Sequence, residues 1–134
     1  MDSATTSILR ARDVMHKEMI YIDGMATAKE AASKMRDKKL SALLVEKRHP
    51  DDAWGLITIK DIIKGVIMTG RSFEEVNVYE IMKKPIITVP ADMDIRYVAR
   101  LIYRAGIWRA PVDDKGELIG MISLSSLILD NEMF

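Results

Sequence analysis

Apolar and polar positions along this chain recur in the same order twice. "DVMHKEMIYIDGMATAKEAASKMRDKKLSALLVE" from Asp13 aligns without a gap on "EIMKKPIITVPADMDIRYVARLIYRAGIWRAPVD" from Glu80, an offset of 67 positions. After a loop the match resumes with "GLITIKDII" from Gly55 over "GMISLSSLI" from Gly120, now offset by 65, so the first loop is longer by two residues. Each copy predicts a short apolar strand, an amphipathic helix, a strand, a turn, another strand and a second helix. In the first copy Thr27 and Glu30 read as a capping box, opening a helix with Ala28, Ala31, Ala32 and Met35 on one face. In the second copy Asp94 takes the cap position, and Ile95, Val98, Ala99 and Ile102 supply the face.

"LSALLVE" and "IWRAPVD" are short, apolar and bounded by polar residues, as buried strands are. The turn "DKGE" with Gly116 predicts a tight hairpin, and "KRHPDDAW" a looser excursion around Pro50. The closing helices begin at Thr58 and Ser123. Ile59, Ile62, Ile63, Val66 and Ile67 in the first, and Leu124, Leu127 and Ile128 in the second, fall at helical spacing. Between the copies, Gly70 predicts the stop of a helix and Ser72 with Glu75 a further cap. Neither copy has enough apolar surface to fold alone at roughly 60 residues, so the reading is one intertwined α+β domain over 1–134. Repeat one runs over about 12–69, the linker over about 70–78 and repeat two over about 79–129, the repeats packing about a pseudo-two-fold axis.

Composition narrows the function classes. The chain has 134 residues, with 20 Lys plus Arg against 20 Asp plus Glu. Zero net charge gives no footprint for a polyanion, so nucleic acid is disfavoured. Cysteine is absent, which removes disulfides, thiol nucleophiles and thiolate zinc sites and suits a reducing, cytoplasmic setting. No apolar run reaches bilayer length and the first dozen residues lack the core of a signal peptide, so a soluble, unprocessed chain without a membrane partner is expected. The ten methionines read as adaptable core filler. His16 and His49 stand apart, without the ligand spacing of a metal site, and Asp51, Asp52, Asp113 and Asp114 lie in turns. No nucleophile elbow, glycine-rich phosphate loop or catalytic dyad appears, so neither a catalytic nor a metal site is expected.

The stretch "GLITIKD" admits two compatible readings. Thr58 caps a helix and Asp61, three residues on, favours its N-terminus. The same geometry offers backbone N–H groups to a phosphate and a carboxylate to both hydroxyls of a ribose.

The chain resembles a tandem pair of cystathionine-β-synthase-type (CBS) domains, a Bateman module. The resemblance rests on "DVM", "EIM", "TAKEAASKM", "GLITIKDII" and "APVDDKGELIGMIS", and covers about residues 12 to 129. It implies two β-α-β-β-α repeats packed through their sheets, with two clefts between them. Many members bind AMP, ADP, ATP or S-adenosylmethionine there and regulate an attached or associated effector protein; no cofactor is required. In the family pattern the Asp three residues after Thr or Ser holds ribose, which Thr58 and Asp61 match.

The resemblance implies a pocket for adenine from Ile86, Ile87, Ile107, Trp108, Arg109 and Pro111, with main-chain groups of Ile107 and Arg109 reading the base. Lys60, Lys84 and Arg109 are the candidate phosphate partners. In the second repeat Ser123 matches but Ser126 replaces the aspartate. That cleft, with Ile20, Tyr21, Leu40, Ser41 and Ala42, is expected to be the weaker one, because a neutral hydroxyl does not replace a charged acceptor. The family also implies a homodimer through helices, to which the alanine face of the first helix is suited. The expected function is a regulatory module sensing an adenine nucleotide or related adenosyl ligand. The alternative is a ligand-free dimerisation or scaffold module, its cleft filled by Trp108.

Overall fold

The computed structural model describes residues 8–131. Its elements are α1 (Ala11–Val14), β1 (Tyr21–Ile22), α2 (Ala28–Lys38), β2 (Ala42–Val45), β3 (Gly55–Thr58), α3 (Ile59–Ile62), α4 (Val78–Ile81), β4 (Val89–Pro90), α5 (Ile95–Ala105), β5 (Arg109–Asp114), β6 (Glu117–Ser123) and α6 (Leu124–Leu129). Helices and two three-stranded sheets, ordered β1-β2-β3 and β4-β5-β6, make this the α+β class read from the repeat.

The chain forms two compact units, one from Ile20–Ile86 and the other from the residues on either side of that segment. In the first unit β1 runs parallel to β2, pairing Tyr21 with Leu44, and β2 runs antiparallel to β3, pairing Ala42 with Thr58. Leu43, Val45 and Ile57 project into a core with Ala28, Ala31 and Met35 of α2 and with Ile62, Val66, Val76 and Val78. In the second unit β4 is parallel to β5 and β5 antiparallel to β6. Its core holds Val89, Val112, Ile122, Leu127 and, from α5, Val98 and Ile102. Burying each such aliphatic side chain contributes about 1.5–3 kcal/mol before chain entropy is counted.

The segment before each repeat joins the opposite unit. Val78 and Tyr79 of the "EIM" segment donate to the carbonyls of Ala26 and Gly24, and Lys83 exchanges both backbone hydrogen bonds with Leu56 of β3. The first N–H groups of α2 lack partners in their own helix. Ala28 N donates to Val76 O (2.7 Å) and Lys29 N to Phe73 O (3.1 Å). In the second unit the "DVM" segment repeats the arrangement: Ile95 N, at the start of α5, donates to Leu9 O, and His16 exchanges both backbone bonds with Met121 of β6.

This crossing explains the glycines that open β3 and lie in β6. A Cβ at Gly55 would lie 2.9 Å from Met82 Sδ, and one at Gly120 would lie 2.6 Å from Met15 Sδ and 2.7 Å from His16 O. The methionine of "DVM" or "EIM" occupies the space that the glycine leaves open.

Local signals behave as the sequence predicts at most ends. Thr27 and Glu30 form their reciprocal box, and Asp94 accepts from Arg96 N. Lys115 and Gly116 both have positive φ, the backbone of a two-residue type I′ hairpin. Gly70 terminates the helical run at φ +71.

Three features differ from expectation. After Ile62 the helix widens into a π turn over Ile63–Ile67, where a Cβ on Gly65 would lie 2.4 Å from Ile81 of α4. Ser72 starts a turn rather than a helix: its Oγ accepts from Glu74 N and its carbonyl from Glu75 N, and the chain then enters the backbone pairing that caps α2. Of the alanine face of α2, Ala28 and Ala31 are enclosed in the core of their own unit and Ala32 is partly buried against it, so the first two are not exposed as a dimer face would need. Exposed apolar side chains lie instead at Ile59, Ile63 and Ile67, one every four residues.

Candidate functional site

The corner between β3 and α3 is built by Thr58, whose extended backbone ends the strand while its carbonyl side opens the helix. Thr58 Oγ1 accepts from Asp61 N (3.2 Å) and donates to Asp61 Oδ2 (2.9 Å), and Asp61 Oδ2 also accepts from Thr58 N (2.9 Å). These bonds turn the carboxylate inward, leaving Asp61 only 8% exposed. Its other oxygen, Oδ1, holds the ammonium of Lys83. Lys83 is 52% exposed along its side chain, while its backbone is fixed by two hydrogen bonds to Leu56 at 2.8 and 2.9 Å.

Lys84 points elsewhere. Its ammonium lies 2.7 Å from Asp52 Oδ2, and Asp52 also accepts from Arg48 N and Ala53 N. These donors, the lysine first, hold the Asp52 carboxyl well below the usual carboxylate range. Asp52 is therefore the anchor of an enclosed ion pair as well as a turn residue, and Lys84 is already engaged. Lys60 is exposed on α3, and Ile86 is half-buried where the first unit ends.

The corner between β6 and α6 repeats the frame without the charge. Ser123 Oγ accepts from Ser126 N (3.1 Å), and Ser126 Oγ accepts from Ser123 N (3.3 Å) and donates to Ser123 O (2.9 Å). Ser126 is buried, as Asp61 is. His16, which aligns with Lys83, pairs through Nε2 with Asp130 Oδ2 at 3.0 Å and not with Ser126.

The remaining candidates divide between the units. Ile20, Tyr21, Ser41 and Ala42 belong with Thr58 in the first; Tyr21 packs on Trp54 at a ring separation of 5.4 Å, and Ser41 O accepts from Ile59 N. Ile87, Ile107, Trp108, Arg109 and Pro111 belong with Ser123 in the second. Ile107 N is committed to Ile102 O, and Trp108 O accepts from Leu124 N. Trp108 is 64% exposed, so its indole is not core filling. Burial lowers the pKa of the Arg109 guanidinium.

Sequence reasoning passed over Lys83 and read Asp52 as a turn residue alone. The only signal for either is the paired lysines of "KKP" and the paired acids of "PDD"; which member meets which partner follows from the register of Lys83 on Leu56, a non-local fact. Among the described residues no helix is long and apolar enough to cross a membrane, and no three His, Cys, Asp or Glu side chains cluster as metal ligands.

Comparison with known proteins identifies the family and the fold. A family model described as the CBS domain matches residues 11–67 and again 78–129. An uncharacterized protein of Methanopyrus kandleri, MK0525, is 32% identical over 117 residues, covering 87% of this chain and 59% of its own length. This chain thus spans about three-fifths of that relative. The hexameric CBS-CP12 protein from bloom-forming cyanobacteria superposes with a TM-score of 0.86 at 38% identity, covering 91% of this chain and 70% of that one. The CBS domain pair of protein MJ0100, solved with 5′-methylthioadenosine and S-adenosyl-L-methionine, gives a TM-score of 0.76 at 24% identity over 90% and 93% of the two chains, a likeness of fold. With two matches that together take in most of its length, the chain belongs to the CBS domain family, as a tandem pair.

Proposed function

We propose that this CBS pair is a regulatory ligand-sensing module that binds an adenine nucleotide or a related adenosyl ligand at the corner carrying Thr58 and Asp61. The observation that carries this reading is the Asp61 carboxylate. It is enclosed and oriented by the N–H and hydroxyl of Thr58, with its other oxygen paired to a half-exposed lysine side chain. A vicinal diol can donate to such a carboxylate, here at Oδ1, since Oδ2 already accepts twice from Thr58. The corner at Ser123 and Ser126 lacks the charge and is the weaker site of the two. CBS pairs are regulatory ligand-binding modules, and ligand occupancy here would bias an effector protein through the ligand's differential affinity for two conformations. Self-association belongs to the same proposal, with Ile59, Ile63 and Ile67 as the face offered to a second copy.

Isothermal titration with AMP, ADP, ATP and S-adenosylmethionine tests the reading. Binding of at least one is expected, with Asp61→Asn weakening it by about tenfold, the difference between a charged and a neutral acceptor. Ser126→Ala should leave that affinity unchanged. Absence of heat with all four on folded protein overturns the sensing function. The scaffold alternative, with Trp108 as a plug, is less well supported because the indole is largely exposed.

A further inference from the structure

We propose that Lys83 is a counter-ion latch on Asp61 that makes this site select ligands bearing an anion beside their diol. Nucleotides are thereby favoured over neutral nucleosides and over sulfonium nucleosides. This rests on the reading of Asp61 as the diol acceptor.

Asp61 Oδ2 already accepts two hydrogen bonds from Thr58, and Oδ1 holds the Lys83 ammonium. A diol that gives both hydroxyls to this carboxylate needs two acceptor sites, and the three bonds in place leave one of about four, so it displaces the ammonium from Oδ1. Neutral hydroxyls return less than the charged donor they remove, because charge-assisted hydrogen bonds are roughly twice as strong as neutral ones. A nucleoside therefore binds at a loss, and a cationic ligand adds repulsion from the displaced lysine. A phosphate on the same ribose changes the sign: the ammonium leaves one anion for another and keeps a charged partner throughout.

The fold leaves the Lys83 side chain able to make this exchange. The Lys83 backbone stays pinned to Leu56 by hydrogen bonds of 2.8 and 2.9 Å, and its half-exposed stem is outside the core, so the ammonium can swing while the strand register holds. Lys84 cannot substitute, since Asp52 holds it at 2.7 Å. Latch and carboxylate also occur together. Where the second repeat has Ser126 in place of the acid, the residue aligned with Lys83 is His16, and it is paired with Asp130. A lysine serving only the backbone bridge would have no reason to follow the acid, because His16 makes the same bridge to Met121.

The test is the ratio of AMP to adenosine affinity, with S-adenosylmethionine as a third probe, measured by titration on the wild-type chain, Lys83→Met, Lys83→Gln and Lys83→Arg. Wild type should prefer AMP over both other probes. Lys83→Met and Lys83→Gln should each narrow the AMP to adenosine ratio by about tenfold, adenosine tightening as AMP weakens. Lys83→Arg should hold the ratio within about threefold, since the cation remains. An unchanged ratio in Met and Gln variants that melt as wild type does, or a wild type that binds adenosine as tightly as AMP, overturns the latch while leaving the Asp61 site standing. Failure of every variant and of wild type to bind any of the three probes removes the site and the latch with it.

Discussion

Gly120→Ala adds one methyl group at the place where the "DVM" segment crosses β6. The new Cβ would lie 2.7 Å from His16 O and 2.6 Å from Met15 Sδ, against an ordinary contact of 3.4 Å or more. The thioether is the flexible end of a side chain and can turn away. The carbonyl cannot, because it accepts from Met121 N at 2.8 Å while His16 N donates to Met121 O at 2.8 Å. A retreat of about 0.7 Å by His16 would stretch that accepted bond to about 3.5 Å, the limit of a hydrogen bond. Overpacking of this kind costs about 1–3 kcal/mol, and a weakened backbone hydrogen bond adds about 0.5–1.5 kcal/mol. Replacing glycine by alanine restricts the unfolded chain and offsets about 0.4–1 kcal/mol of this. The net expectation is a loss of about 1–3 kcal/mol, or a fall in melting temperature of about 3–10 °C for a chain of this size.

The matching position supplies the control. At Gly55 the near backbone atom, Lys83 O, is 3.4 Å from the added carbon, and the close neighbours are Met82 Sδ at 2.9 Å and Val45 Cβ at 3.1 Å. Gly55→Ala should therefore lose less than Gly120→Ala, because most of the strain relaxes by rotation of a methionine. Calorimetric melting of both variants checks the ordering. A Gly120→Ala protein that melts at or above wild type, or a Gly55→Ala protein that is the worse of the pair, would refute the account of the crossing.

Three further outcomes are expected. Lys39 closes α2 at φ 55, where the second repeat closes α5 with Gly106 at φ 70, so Lys39→Gly should stabilise the chain by about 0.5–1 kcal/mol in chemical denaturation, the left-handed penalty less the entropy of a new glycine. Arg96 holds the Asp94 carboxyl down to about 2 from 3.8, so the charge contributes stability that is full above 3.8 and lost as pH falls through about 2; the melting difference between wild type and Asp94→Asn, which keeps the cap, should be constant near neutrality and vanish below about pH 2. Ile63→Glu, at the centre of the exposed Ile59, Ile63 and Ile67 row, should convert a self-associated chain to monomer in sedimentation, and an unchanged mass would exclude that face.

What the sequence revealed was local or periodic. The capping pairs Thr27–Glu30 and Thr58–Asp61, the hairpin at Lys115–Gly116 and the stop at Gly70 each depend on residues a few positions apart, and the repeat doubles every signal. The crossing of "DVM" and "EIM" into opposite units was hidden because it depends on strand register over long separations, Leu56 with Lys83 and His16 with Met121. Lys83 was hidden for the same reason: "KKP" places two lysines side by side, and only the register decides that the first reaches Asp61 and the second Asp52. The π turn at Ile63–Ile67 coincides with the close approach of Ile81 to Gly65, a long-range contact that periodicity does not encode.

The two corners also bear on the proposal of a site at Asp61. Both make the reciprocal bonds that a helix start needs, and the second does so with two neutral serines. Capping therefore requires the hydroxyl and the spacing; the charge adds a favourable interaction with the helix N-terminus but is not required for the box. The exposed box at Thr27 carries a glutamate at little cost, because water solvates it. Asp61 is nearly enclosed, where a carboxylate and its ion pair are no more stabilising than a neutral group of good fit. An acid at that position, with a half-exposed lysine on the oxygen that Thr58 does not engage, is what the proposed diol site would use, and loss of adenosyl-ligand binding in Asp61→Asn is the result that separates it from a cap.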